Sequence, residues 1–359
     1  MNYAVIMAGG SGTRFWPLSR RKFPKQCLPM YTDKALIADT AIRISPLFPQ
    51  KNIFVITGAE HAGAVKNACR GAVPGKNIIA EPCGRNTAPC LGLASVYLQK
   101  NAGNDDALLV ALPADHVVTK PAAFRATLKR ALRVARTGDG IVTFGIAPSY
   151  PETGYGYIEV SKKMNGNSVC RVRRFVEKPD QRTAQRYCRS GRFFWNSGIF
   201  VFKASVMLAA IEAHMPGLYR ELCRFAPAIG TKREQQALRR LYRTISSQSI
   251  DYGVMEHYHS VQLVPADIGW NDVGSWRALH DLLKDKKQTT VVKGNARCIR
   301  VKNSFVYNTD RRFIGLVGVE DLIVVAAGDA ILVVHRDQAQ AVKTLVDMLG
   351  KTAAGKKLL

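Results

Sequence analysis

The sequence predicts an α/β protein, a doubly wound and largely parallel sheet followed by a small module of stacked β-turns. Three observations predict it. Short apolar strands alternate with helix-length stretches through the first two thirds of the chain, a glycine-dense turn follows directly on the first of them, and after residue 287 the rhythm tightens to short strands separated by turn residues. With 359 residues and 47% hydrophobic content, the chain can bury one large core and a smaller second one.

Strands are expected at residues 3–7, 53–57, 78–80, 107–112 and 141–145, each followed by a helix-length stretch. Between 122 and 137, Phe124, Leu128, Ala131, Leu132 and Ala135 mark one face of an amphipathic helix. Beyond Gly154 the pattern is mixed, with strands at 157–160, 169–177 and 198–202 and helices at 204–213 and 232–242, an insertion of the kind that builds a second substrate site. Strands at 298–301, 304–307, 314–319, 322–326 and 330–334, with turn residues Asn303, Asp310, Gly318 and Gly328, read as stacked turns. A closing helix starts near Asp337 and carries Ala341, Val342, Leu345, Val346 and Leu349 on one face, and residues 351–359 are expected to fray. The domains are therefore 1–287, in halves of about 1–150 and 151–287, and 288–359.

The N-terminus lacks the basic flank, apolar core and cleavage site of a secretory signal, and no apolar stretch approaches the roughly 20 residues that cross a bilayer. A soluble, cytoplasmic protein is expected. The eight cysteines are scattered without a CxxC pair and read as reduced, mostly buried thiols. A net charge of +25 admits nucleic acid, an anionic membrane surface or an anionic small substrate. Because the basic residues are spread along the chain, a solvated cationic surface that steers polyphosphates is favoured over a nucleic-acid site.

The first strand runs into Gly9-Gly10-Ser11-Gly12-Thr13-Arg14, where missing Cβ atoms let backbone N–H groups approach phosphates. This is neither the dinucleotide pattern nor a P-loop, and a purely structural tight turn is the alternative. Phe15-Trp16-Pro17-Leu18-Ser19-Arg20 and Phe23-Pro24-Lys25-Gln26 follow, so Arg14 and Lys25 place two cations beside a polyphosphate. With these segments the sequence resembles the nucleotidyltransferases that activate sugar 1-phosphates, and the forms at 16–20 and 24–26 resemble the guanylyltransferase branch that uses mannose 1-phosphate.

Glu81-Pro82-Cys83-Gly84-Arg85-Asn86-Thr87-Ala88-Pro89 resembles that branch's base-recognition loop. A carboxylate suits guanine, whose N1–H and N2–H₂ are adjacent donors. The resemblance thus assigns the nucleotide to Ala8, Gly9, Gly10, Gly12, Thr13, Glu81, Arg85, Asn86 and Thr87. Asp115, in Pro113-Ala114-Asp115-His116, closes an apolar strand where ligands of open α/β sheets gather. Asp272 stands among glycines in Gly269-Trp270-Asn271-Asp272-Val273-Gly274. Two aspartates suffice for Mg²⁺, and the resemblance implies that these two hold it; on residue type alone, caps or turn formers are the commoner reading. The stretches 153–159, 175–179 and 195–200 resemble the family's sugar-phosphate pocket, with Gly156, Glu177 and Asn196 on sugar hydroxyls and Lys178 on the phosphate. Asp251 is assigned to the sugar side, a helix N-cap being an equal alternative. His61, His116, His257 and His259 are set aside as acid or base groups, because a phosphate monoester already presents an ionised oxygen.

The resemblance covers residues 1 to about 335; Phe15, Cys27 and Cys83 depart from it without removing a charge or a ligand. It implies a Rossmann-like nucleotidyltransferase with a mixed, mostly parallel central sheet and a β-helix-like C-terminal module. It further implies Mg²⁺-dependent transfer of GMP from GTP to α-D-mannose 1-phosphate, giving GDP-mannose and pyrophosphate for glycan precursor synthesis, with Arg14, Lys25, Asp115 and Asp272 catalytic. A homodimer through the β module is expected, with no nucleic acid and no membrane insertion. The fused isomerase domain that many relatives carry, and its activity, are expected to be absent. Three other readings stay open: a nucleotidyltransferase for another base or for glucose 1-phosphate, a catalytically silent subunit that binds GDP-mannose, and a charge-driven nucleic-acid binder.

Overall fold

The computed structural model describes residues 1–10, 12–161, 168–285 and 288–359, so Ser11 of the glycine turn and the expected boundary at 287 lie outside the described residues. The first strands are β1 (Asn2–Ala8), β2 (Ile53–Gly58), β3 (Ile78–Glu81), β4 (Leu108–Pro113), the two-residue β5 (Val117–Val118) and β6 (Ile141–Ile146). They are followed by β7 (Tyr157–Val160), β8 (Cys170–Val176), β9 (Phe193–Lys203), β10 (Val261–Pro265) and β11 (Trp270–Asn271). Nine of them form one sheet in the order β3-β2-β1-β4-β9-β6-β10-β8-β7, and β11 pairs with β5 beside it. Only β9 and β8 run against the rest, so the sheet is mixed and mostly parallel as expected.

The sheet is covered on both faces, which is why its strands read as apolar runs. Along β1, Tyr3 and Val5 join the core under helices 87–102, 204–214, 216–225 and 234–244, while Ala4, Ile6 and Ala8 join the core under helices 36–44 and 121–137. That alternation is the two-residue period of a strand. Helix Pro121–Thr137 buries the five apolar residues expected of it.

The C-terminal module stacks β12 (Val291–Lys293), β14 (Phe305–Asn308) and β16 (Leu322–Ala327) in parallel, and likewise β13 (Ala296–Ile299) and β15 (Ile314–Val317). A hairpin to β17 (Ala330–His335) ends it. Phe305, Tyr307, Ile323 and Val325 share a core with Phe15, Trp16 and Trp276, which seats the module against the glycine-turn segment.

Several expectations are corrected. The tail does not fray: Thr352 Oγ1 caps a short helix at Ala353–Lys356, Leu358 O accepts Trp16 Nε1–H at 2.9 Å, and Leu359 O accepts the Arg21 amide at 2.7 Å. The closing helix begins as a 3-10 turn at Arg336–Ala341 and continues at Val342–Leu349, burying Val342 and Val346 but leaving Ala341 and Leu345 exposed. All eight cysteines are free, but only Cys69 and Cys90 are fully buried, and Cys83 and Cys223 are exposed. Among the described residues no helix is long and apolar enough to cross a membrane.

Candidate active site

The turn after β1 is shaped by what lies behind it. Gly12 has φ of 63°, and a Cβ there would overlap Lys25 Cβ, so both the backbone and the space require glycine. Gln26 Nε2 donates to Ala8 O at 3.2 Å and Gly10 O at 3.4 Å and pins the turn's entry. Gly12→Ala is therefore expected to cost about 1–3 kcal/mol and, by displacing Lys25, to lower activity well beyond that loss; melting curves beside steady-state kinetics check it.

Lys25 is the hub. Its side chain is 6% exposed, and Nζ donates to Asp115 Oδ2 at 2.8 Å and to the backbone oxygen of Asp272 at 2.7 Å. Asp115 comes from the end of β4 and Asp272 from the loop after β11, so one ammonium joins two segments far apart in sequence. Burial raises the Asp115 pKa, but Lys25 and then His116 outweigh it and hold the carboxyl below its ordinary range. Asp272 Oδ1 accepts the Tyr155 hydroxyl at 2.6 Å and the Gly274 amide at 3.1 Å. His116 Nδ1 accepts Trp270 Nε1–H at 3.1 Å, and burial lowers the ring's pKa against the opposing pull of Asp115 and Asp272.

At the end of β3, Glu81 is buried and accepts the Tyr242 hydroxyl at 2.6 Å. Burial pushes its carboxyl up to about 7, against the opposing pull of that hydrogen bond. The following loop is held by Arg85 Nε on Tyr242 O at 3.2 Å, and Asn86 Oδ1 caps helix Thr87–Ala102 by accepting the Thr87 amide at 2.9 Å. Across the cleft, Asn196 Nδ2 donates to Asp251 Oδ1 at 2.8 Å, while Asn196 Oδ1 accepts the Gly198 amide at 3.1 Å. Asp251 opens a π-turn at Asp251–Met255 and is not its N-cap; burial, with Glu177 nearby, pushes its carboxyl up to about 6. A Cβ on Gly156 would strike Glu177 Oε2, so glycine is what lets this carboxylate approach.

These groups surround a cavity of about 590 Å³, and a smaller one of about 220 Å³ opens beside the glycine turn. Asp115, His116 and Asp272 line both. Every sequence-predicted site residue lines one or the other except Ala8 and Lys178. The Ala8 side chain is buried, and its carbonyl is taken by Gln26 and Thr57. Lys178 has φ of 46° and an exposed side chain, and it meets the cleft only through Glu177 Oε1 at 2.6 Å. Sequence reasoning missed Gln26, Tyr155, Tyr242 and Trp270 as supports, and His116, which it set aside, lines both cavities. Gln26, Tyr155 and Trp270 lay inside the quoted motifs; Tyr242, 161 residues from Glu81, carried no sequence signal. Among the described residues no group of three or more His, Cys, Asp or Glu is placed to hold a metal, so an ion would rest on the two aspartates and its ligand.

A family profile for nucleotidyl transferases matches residues 3–289, and one for a mannose-phosphate isomerase/GMP-like β-helix domain matches 294–349. The chain is 40% identical over 361 residues to mannose-1-phosphate guanylyltransferase 2 of Escherichia coli O157:H7, covering 96% of this chain and 73% of that protein. It is also 40% identical to the xanthan biosynthesis protein XanB of Xanthomonas campestris pv. campestris, at 96% and 72% coverage. A crystal structure described as a mannose-1-phosphate geranyltransferase from Thermus thermophilus superposes with a TM-score of 0.86 at 34% identity, covering 97% of this chain and 99% of that one.

Proposed function

The chain belongs to the nucleotidyl transferase family, in its mannose-1-phosphate guanylyltransferase branch, and from that premise we propose that it transfers GMP from GTP to α-D-mannose 1-phosphate, releasing GDP-mannose and pyrophosphate. The observation that carries the reading is Lys25 bridging the Asp115 and Asp272 segments where the two cavities meet. A cation fixed there by two acidic segments suits a reaction in which charge builds on an α-phosphate and a leaving pyrophosphate.

In this reading GTP lies with guanine at Glu81 and its phosphates along the glycine turn and Arg14. An oxygen of the sugar phosphate attacks the α-phosphorus in line, one P–O bond forms, and the bond from the α-phosphorus to the oxygen it shares with the β-phosphorus breaks, that oxygen leaving with pyrophosphate. Gly156, Glu177, Asn196 and Asp251 form the sugar end, where Asn196 bonded to Asp251, with Glu177 lining the same cavity, suits a polyhydroxyl ligand. Lys178, exposed and paired to Glu177, takes the sugar phosphate in this reading only once that pair opens. Asp115 and Asp272 fit Mg²⁺, since hard cations take carboxylate oxygens together with phosphate. When bound, the ion supplies positive charge to the phosphate oxygens.

Pyrophosphate release by the purified chain, with each of GTP, ATP, UTP and dTTP paired with mannose 1-phosphate or glucose 1-phosphate, tests the reading. Turnover confined to GTP with mannose 1-phosphate is expected. Preference for another pair keeps the reaction class and overturns the specificity; a folded sample inert with all eight pairs makes it a silent binding subunit.

A further inference from the structure

Part of the charge of +25 is gathered in one groove. Between helices Pro216–Phe225 and Glu234–Thr244 opens a groove of about 1140 Å³, larger than the cavity that holds the proposed nucleotide site. Six cations line it, Arg224, Lys232, Arg233, Arg239, Arg240 and Arg243, against one carboxylate. That carboxylate, Glu221, already pairs with Arg224 and accepts the Thr244 hydroxyl at 3.3 Å. The other five side chains are exposed, and among the described residues none of them forms an ion pair.

Helix physics does not account for this placement. The negative end of helix Glu234–Thr244 favours Arg243 in its last turn. Lys232 and Arg233, however, stand at its positive end, where cations are disfavoured, and Arg239 and Arg243 lie one turn apart, where like charges repel. Nor does the groove suit lipid or single-stranded nucleic acid. No large apolar or aromatic residue between 216 and 245 is exposed, so nothing there would insert among acyl chains or stack on bases. What it offers is guanidinium forks, whose geometry matches phosphate.

We propose that this groove binds a compact, multiply phosphorylated anion, held by Arg239, Arg240 and Arg243 at one end and by Lys232 and Arg233 at the other. The same helix carries Tyr242, which faces the opposite way onto Glu81 and whose carbonyl holds Arg85. An occupied groove therefore steadies the helix end that orients the proposed base loop, and by linkage the two ligands strengthen one another. This coupling rests on the role proposed for Glu81; the binding itself does not.

Calorimetric titration of the full chain with inorganic tripolyphosphate in metal-free buffer tests it. Two classes of site are expected: Lys25→Ala removes the one at the glycine turn, and R239S/R240S/R243S weakens the other at least tenfold. Citrate, a multivalent carboxylate of lower charge that lacks phosphate geometry, is expected to bind the groove at least tenfold more weakly. Should the triple variant melt early, K232S/R233S, which lies before the helix and removes unfavourable charges, must show the same loss. Two unchanged classes in both variants, or citrate binding as well as tripolyphosphate, would overturn the proposal. A single class abolished by the triple variant would leave this proposal standing and count against the glycine-turn site instead.

Discussion

Lys25→Ala lowers kcat by about 10²–10³-fold, the loss typical when a preorganised group that meets developing charge is removed. The size follows from where the ammonium sits. Its side chain is 6% exposed, it bonds the Asp115 carboxylate and the backbone of Asp272, and Gly12 leaves just enough space for it to lie against the glycine turn. No neighbour replaces it, since Arg14 lies out on the exposed glycine turn. Stability falls far less than activity. Asp115 loses its partner, but a third of its side chain is open to water, so about 1–2 kcal/mol is expected in a melting curve. The pH profile separates catalysis from scaffolding. With Lys25 present, Asp115 stays ionised below its ordinary pKa; without it, burial dominates and raises that pKa, so the variant's residual activity disappears at a higher pH as acid is added. A variant with normal kcat and an unmoved acid limb would make Lys25 a structural cation.

How much of this was legible in the sequence depended on whether local pattern or distant packing decided each feature. The strands β1, β2, β4 and β6 are buried on both faces, so each reads as an apolar run, and their ends, like those of the edge strand β3, were placed within a residue or two. The start of β9 was not legible: Phe193 to Ser197 interrupts its apolar run with Asn196 for the sake of the cleft, and the strand shifts register against β6 at Thr143/Gly145. β10 was lost because Gln262 and Pro265 break a five-residue run that only its neighbours β6 and β8 make a strand. The tail misled for the same reason, since Trp16 and Arg21, more than 300 residues away, order it.

The site divides likewise. Charged residues in ordered motifs were readable, because Lys25, Glu81, Asp115 and Asp272 each follow a glycine turn or a strand end. Their supports were readable only where they shared a motif. Lys178 shows the limit of carrying a motif over: the resemblance puts its charge on the sugar phosphate, whereas in the structure its backbone has φ of 46° and its side chain is exposed and paired to Glu177. Asp251 is the reverse case. Two plausible roles were open at a helix start, and the structure removes the cap by spending the carboxylate on Asn196.

Glu81→Gln is expected to weaken GTP binding by about 1–3 kcal/mol, roughly 5- to 150-fold, and to erase most of the preference for GTP over ATP. Guanine presents two adjacent donors, and a glutamine turns one of its own donors toward them. The stronger test is pH. In the free protein the Glu81 carboxyl is pushed up to about 7 by burial. Guanine needs the ionised form, so binding lowers this pKa. The sign follows: affinity is full above about 7, then falls toward tenfold per pH unit as pH drops through that value, until the lower pKa of the complex is reached. The variant has no carboxyl to protonate, so its affinity changes over the same range only through the nucleotide's own phosphates. Titrating both proteins with GTP between pH 5.5 and 8.5 removes that shared contribution by difference. Tyr242→Phe provides a third arm, because the hydroxyl favours the ionised carboxyl; without it the midpoint moves up. Parallel curves for wild type and Glu81→Gln would take guanine away from Glu81 while leaving the reading of Lys25 untouched, because Lys25 opens the 3-10 turn Lys25–Cys27, Glu81 ends β3, and among the described residues the two share no hydrogen bond.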